Sequence, residues 1–395
     1  MKTNKLLGGT MLITSTTIGA AMVALPVSAA GISFAPSALL LCACWVLMLY
    51  SAFLILEVNL WFDSGVNMVT MAKNTLGNTG QYVAWTAYLL LLYSLMAAYL
   101  SGMGGIIEGT HMLIGQEVLP PWLGISILLG LFGFIIYLGT RTVDYLNRFF
   151  ITCLFIAYIV LVANIAPHID KNNLNHLYFN HFLYAIPIMI TAFGYHIVIP
   201  SVRNYLNNDT DKVISAIGIG SIIPILMYLG WIFIILGAVP DTQLTAIWFK
   251  GQPAIDLPRT LDALLDDNVI SAGATVFTFF AIATSFIGVS LSLFDFLCDG
   301  LHIAKTKLGR IATAGLTFLP PMIFNIFHPN AFLVTLGYAS IFVAVLLGLL
   351  PIAMVWHGRY YQSLKGSYTA PGGKGTLLLA GVCFIGVIVL EIMPH

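Results

Sequence analysis

Charge is what this sequence has least of. Only 8% of its 395 residues are Asp, Glu, Lys or Arg, while 59% are hydrophobic. A soluble domain carries about 25% charged residues, enough to cover a water-facing surface. This chain cannot do so and reads as an integral membrane protein. A surplus of either sign is missing too, since 16 basic residues balance 16 acidic ones. That gives no hint of a nucleic-acid partner. Cysteines are few. Five of them (Cys42, Cys44, Cys153, Cys298, Cys383) lie scattered in or beside apolar runs. An odd, scattered set is no disulfide framework and has no zinc-ligand spacing with histidine. They read as small apolar fillers. Also absent are His-Glu-x-x-His, Gly-x-Ser-x-Gly and paired intramembrane aspartates, which speaks against an enzyme. No cofactor or metal is implied.

Long apolar runs are what the chain does have. A membrane helix needs about 20 apolar residues. Eleven candidate spans result: Leu6–Ala29, Ala35–Leu60, Gln81–Thr110, Pro121–Leu138, Phe149–Ile165, His181–Val202, Val213–Leu236, Val269–Leu297, Ile311–Ile326, Ala331–Met354 and Thr376–Ile392. The longest gap, Gly237 to Asn268, is too short for a soluble domain. With the N-terminus inside, the inner segments hold Lys2, Lys5, Lys73, Arg141, Arg148, Arg203, Lys212, Lys305, Lys307, Arg310, Arg359, Lys365 and Lys374. Only Lys171, Lys250 and Arg259 fall outside. This is the bias of the positive-inside rule, and it puts the C-terminus outside.

The first run could be a secretory signal, with Lys2 and Lys5 ahead and Val27-Ser28-Ala29 as a cleavage-like site. Thr14, Ser15, Thr16, Thr17 and Pro26 interrupt its apolar core, which favours an uncleaved span. A second copy strengthens that reading. "TTIGAAMVALP" (Thr16–Pro26) and "TAFGYHIVIP" (Thr191–Pro200) share Thr-x-x-Gly followed by a proline. They lie in the first and sixth spans and so cross in opposite directions. Glycine costs about 1 kcal/mol in a helix interior, and proline removes a backbone donor. Matched interruptions in two halves are a sequence pointer to a transporter's binding site. A channel would instead need a pore lined by polar rings.

These stretches, with "AAYLSGMGG" (Ala97–Gly105), "IATSFIGVSLSLFDFLCDG" (Ile282–Gly300) and "TFLPPMIFNIFHP" (Thr317–Pro329), resemble the bacterial aromatic amino acid permeases. That tyrosine- and tryptophan-specific group belongs to the amino acid–polyamine–organocation superfamily. The resemblance covers nearly the whole chain, in order. It implies an all-α protein of eleven spans: a five-plus-five inverted repeat (residues 1–165 and 166–354), then a loop and final span (355–395). It implies import of L-tyrosine, L-tryptophan or L-phenylalanine with protons across the inner membrane, and the sequence looks nearest to the tyrosine-specific members.

A zwitterion needs donors for its carboxylate, acceptors for its ammonium and a pocket for its side chain. The superfamily holds the substrate backbone at its broken helices. That carries over to Thr16, Thr17, Ile18, Gly19 and Ala20 in the first span, and to Ala192, Phe193 and Gly194 in the sixth. Candidates for the pocket are Phe193, Tyr195, Tyr99, Gly102, Ser285, Phe286 and Ser290. For the threonines the competing reading is a bond back to the preceding helical turn. Ionisable groups inside spans are functional candidates by default. His196 is the most central. Glu57 and Asp295 match acidic positions of the family pattern, and Asp299 and Glu108 also lie near span ends. Two coupling ions stay open: a proton on His196, Glu57 or Asp295, which the resemblance favours, or sodium caged by Thr284 and Ser285.

Overall fold

The computed structural model describes residues 5–113, 121–138, 140–174, 182–303 and 306–393. Lys2, Lys305 and the side chains of Glu108, Arg141 and Lys307 lie outside that description. The described residues form an all-helical bundle. Its order is α1 (Lys5–Thr17), α2 (Ala21–Ser28), α3 (Phe34–Leu60), α4 (Met68–Leu113), α5 (Pro121–Leu138), α6 (Thr140–Ile165), α7 (Lys171–Leu174), α8 (Ile186–Thr191) and α9 (Ile199–Tyr205). It continues with α10 (Thr210–Ala238), α11 (Asp241–Lys250), α12 (Pro253–Leu265), α13 (Asn268–Gly300), α14 (Lys307–Phe327), α15 (Phe332–Val343), α16 (Leu350–Tyr360) and α17 (Lys374–Ile392).

Among the described residues nine spans are long and apolar enough to cross a membrane, or ten with α1 and α2 taken as one bent span. The remaining expected span, α5, is helical, but its described apolar stretch is only Ser126–Ile135.

Both anticipated breaks exist. α1 stops at Thr17 and α2 restarts at Ala21, bent by 56°. Gly19 and Ala20 carbonyls take tight bonds from Met22 and Val23 at 3.0 and 3.1 Å. Pro26 is not at the break; it sits inside α2. In the second copy, α8 ends at Thr191, a 3-10 turn covers Tyr195–Val198, and α9 begins with Pro200 in its first turn. There proline's missing N–H costs nothing. The two broken spans pack together, α2 against α8 and α1 against α9.

Other irregularities had no clear sequence signal. A π-helical stretch, Ala344–Leu349, joins α15 to α16. The connection between α10 and α13 folds into α11 and α12. Gly251 (φ 75°) closes α11, and α12 packs on α13, α4 and α2. Asp241 Oδ1 accepts from Gly31 N at 2.5 Å. Gln252 Nε2 donates to Pro329 O at 2.9 Å and to Asn330 Oδ1 at 2.8 Å. These bonds pin the helical pair over one end of the bundle.

At the other end, Arg359 grips the Glu57 carboxylate with Nε and Nη2, the Nε bond being 2.7 Å. Glu57 also accepts from Ala370 N at 2.8 Å, and Arg359 donates to the carbonyls of Ala370 and Gly372. The segment leading to α17 is thus strapped across α3 and α16. Asp209 caps α10 nearby. Its hydrogen bonds with Lys212 hold its carboxyl below the ordinary aspartate value.

Candidate substrate site

The two breaks open onto a cavity of about 290 Å³. Thr16, Thr17, Gly19 and Ala20 line it from the first break, and Thr191 and Gly194 from the second. α13 contributes Thr284, Ser285, Gly288 and Ser292 from one helical face, at the three- and four-residue spacing that keeps side chains together. Tyr99 and three leucines of α4 line it too, with Leu336, Val343 and Leu347. Among the described residues no charged side chain lines the cavity.

Seven of the expected contact residues meet here: Thr16, Thr17, Gly19, Ala20, Tyr99, Gly194 and Ser285. Seven others do not line it, and packing explains each. Phe193 is fully buried with its ring edge-on to Tyr228, centroids 5.6 Å apart. Tyr195 is buried beside His196. Phe286 packs edge-on to Phe132 at 5.1 Å. Ser290 donates to Phe286 O at 2.6 Å. Gly102 faces Ile282 and Phe332. Ile18 and Ala192 are buried in the core. The cavity wall is therefore mainly aliphatic, with Tyr99 as its one aromatic ring among the described lining residues.

The hydroxyls behave as helix residues do. Thr16 and Thr17 donate to Leu12 O and Ile13 O, both at 2.7 Å. This is the bond to the preceding turn that competes with ligand binding. Thr284 and Ser285 both donate to Ala281 O at 3.2 Å. Ser285 Oγ also accepts from Ala20 N at 3.1 Å. It thus satisfies a donor freed by the first break. Gly19 makes that approach possible, because a Cβ there would collide with Ser285 Oγ.

Tyr228, packed behind the cavity, is one residue that sequence reasoning missed. It is fully buried on α10, and its hydroxyl lies 2.7 Å from Thr17 O and 3.2 Å from Ala192 O. One phenol therefore faces carbonyls freed at both breaks. A lone tyrosine in an apolar run gives no sign of this, since only the fold brings the two breaks together.

The ionisable candidates part ways. His196 is fully buried outside the cavity, with Nε2 3.0 Å from Met48 O and Nδ1 without a partner. A carbonyl partner requires the Nε2–H tautomer. Glu57 belongs to the strap. Asp295 and Asp299 line a second cavity of about 380 Å³, with Tyr88, Phe296, Ser201 and Asn204. Ile197 and Ser292 are shared by both cavities, which makes them neighbours.

A central, uncharged cavity at paired helix breaks suits transport, and similarity to known proteins agrees. The chain is 33% identical to tyrosine-specific transport system 1 of Haemophilus influenzae, over 98% of this chain and 96% of the relative. It is 32% identical to tyrosine-specific transport system 2 of the same organism, over 99% and 97%. It is 30% identical to a tryptophan-specific transport protein of Shigella flexneri, over 98% and 95%. The model of the tryptophan/tyrosine permease family matches residues 2–392. The chain is a member of the tryptophan/tyrosine permease family.

Proposed function

We propose that this permease is a secondary active transporter that imports an aromatic amino acid, L-tyrosine before L-tryptophan or L-phenylalanine, by proton symport and alternating access. The observation that carries the reading is the neutral cavity between two opposed helix breaks. Freed backbone groups suit a zwitterion's two charges. The absence of charged lining residues favours a neutral side chain. Tyrosine is placed first on the 33% identity to one tyrosine-specific relative; a tryptophan-specific protein of Pseudomonas aeruginosa, at 32%, makes tryptophan the alternative.

Eleven spans as five plus five plus one, with the N-terminus inside the bacterial inner membrane and the C-terminus outside, fit the basic-residue bias. Residues 1–165 and 166–354 are then the inverted halves. In this reading the carboxylate sits at the first break, beside Gly19, and the ammonium at the second, beside Gly194, both of which line the cavity. Concentrating a neutral zwitterion requires an ion gradient, and one charge crossing 100 mV supplies about 2.3 kcal/mol. His196 and Asp295 are the proton carriers of this reading. Glu57 is a structural anchor in it. Thr284 and Ser285 already donate to Ala281 O, which leaves their oxygens as acceptors only for a sodium alternative.

Purified protein in liposomes, given radiolabelled tyrosine, tryptophan and phenylalanine under imposed pH or sodium gradients, tests this reading. Tyrosine accumulation driven by an inward proton gradient in sodium-free buffer is expected. Uptake that needs sodium and ignores pH overturns the proton assignment. Leucine competing as well as tyrosine overturns the aromatic one.

A further inference from the structure

Asn147 lies on α6 between Leu146 and Arg148, just before the apolar run that begins at Phe149, and lines the central cavity. Its Oδ1 is buried and has no hydrogen-bond partner. Among the described residues around that cavity, no other side chain carries a buried polar atom left unpaired. Native proteins leave few such atoms, and each calls for a cause. Here the neighbours offer none. The cavity hydroxyls of Ser15, Thr16, Thr191 and Ser292 donate to carbonyls of their own helices. Which end of the amide is oxygen is assigned from its surroundings. The buried, unpartnered end is the oxygen, so what Asn147 lacks is a donor.

We propose that Asn147 is a specificity-determining residue that reads the hydrogen-bond donor on the substrate's ring. The inference rests on the aromatic amino acid reading above and deepens it. The substrate's two charges belong at the helix breaks, on α1, α2 and α8. Asn147 stands on a different element, α6, which packs on α13. A ring filling that space meets Leu91, Leu95 and Leu347, which take any flat apolar group. They cannot tell phenyl from phenol. A phenol O–H or an indole N–H brings the donor that the Asn147 oxygen lacks; a phenyl ring leaves it unpaired. Sites built to bond a substrate's polar group reject the analogue lacking it, because their own group is then left buried and alone. The amide is also neutral, so it accepts from a phenol without demanding a charge inside the membrane.

The test is competition in counterflow, with tyrosine, tryptophan and phenylalanine as inhibitors. Wild-type protein should prefer tyrosine over phenylalanine by about tenfold, equal to about 1.4 kcal/mol. Asn147→Leu, of similar size, should lose that preference, with tyrosine and tryptophan weakened relative to phenylalanine. Asn147→Asp, which keeps an acceptor oxygen, should retain it. An unchanged tyrosine-to-phenylalanine ratio in Asn147→Leu overturns the proposal. So does an equal loss for all three substrates, the signature of a packing role. A ligand series on the unmutated protein guards against a variant that fails to reach the membrane. 4-Methoxyphenylalanine has the oxygen but no donor and should bind like phenylalanine; binding as tightly as tyrosine overturns the assignment. If no aromatic amino acid competes at all, the substrate reading beneath it fails instead.

Discussion

Tyr228 and Gly19 show how single residues hold this site. A phenol has one proton, and two carbonyls converge on it. Tyr228→Phe keeps the ring against Phe193 and removes that donor. Leaving buried acceptors unpaired costs about 1–3 kcal/mol. The purified variant should melt at a lower temperature and exchange tyrosine with weaker affinity. A wild-type melting curve and counterflow affinity together would show that the hydroxyl holds nothing. At Gly19 the obstacle is one oxygen atom. Gly19→Ala should abolish uptake at normal membrane abundance, and Ser285→Ala in the same chain should restore part of it. Gly194→Ala should do less harm, because its nearest neighbour, Thr191 O, would lie at 3.3 Å. Equal loss at both glycines contradicts that ranking.

At the scale of elements, the interrupted helices were legible because glycine and proline leave marks in a sequence. Thr-x-x-Gly located both breaks, although Pro26 and Pro200 fell inside helices beyond them. Span positions were legible for the same reason: bilayer thickness imposes a length that apolar runs display. The side-chain list fared less evenly. Backbone-proximal residues of the first break line the cavity, whereas Phe193 and Tyr195 turn into the core. Aromatic content marks a buried residue without saying which way it faces. Asn147 and Tyr228 needed neighbours from remote spans to acquire meaning. The strap is a further case, because 302 positions separate Glu57 from Arg359. Their side chains are 1% and 12% exposed, so removing one partner strands a charge at a cost of about 3–5 kcal/mol. Glu57→Ala should destabilise the protein far more than Glu57→Leu combined with Arg359→Met. Thermal melting in detergent distinguishes the two, and equal losses would show that the pair's burial is unimportant.

For the whole molecule, the two ends differ. α11 and α12 are fastened over one end by Asp241 and Gln252, while the second cavity adjoins the first toward Ser201, Asn204 and Asp299. In the proposed topology the fastened end faces outward. A cysteine placed at Ser201 should therefore react with a membrane-impermeant thiol reagent applied from the inner side, and one at Gln252 should resist it from outside. The reverse pattern would invert the orientation. His196→Gln belongs to the same scale. It should weaken pH-driven uptake more than counterflow, since exchange requires no net proton movement; equal weakening removes His196 from coupling.

If the proposed topology holds, the pinned pair α11 and α12 also has a consequence for metabolism. A carrier that idles open to the cytoplasm samples the internal pool before it samples the medium. In the proposed topology each import cycle would begin by unfastening α11 and α12, and a full internal pool would keep the site occupied before they lift. Supply would then throttle itself, and a starved cell would speed its own uptake without any change in gene expression.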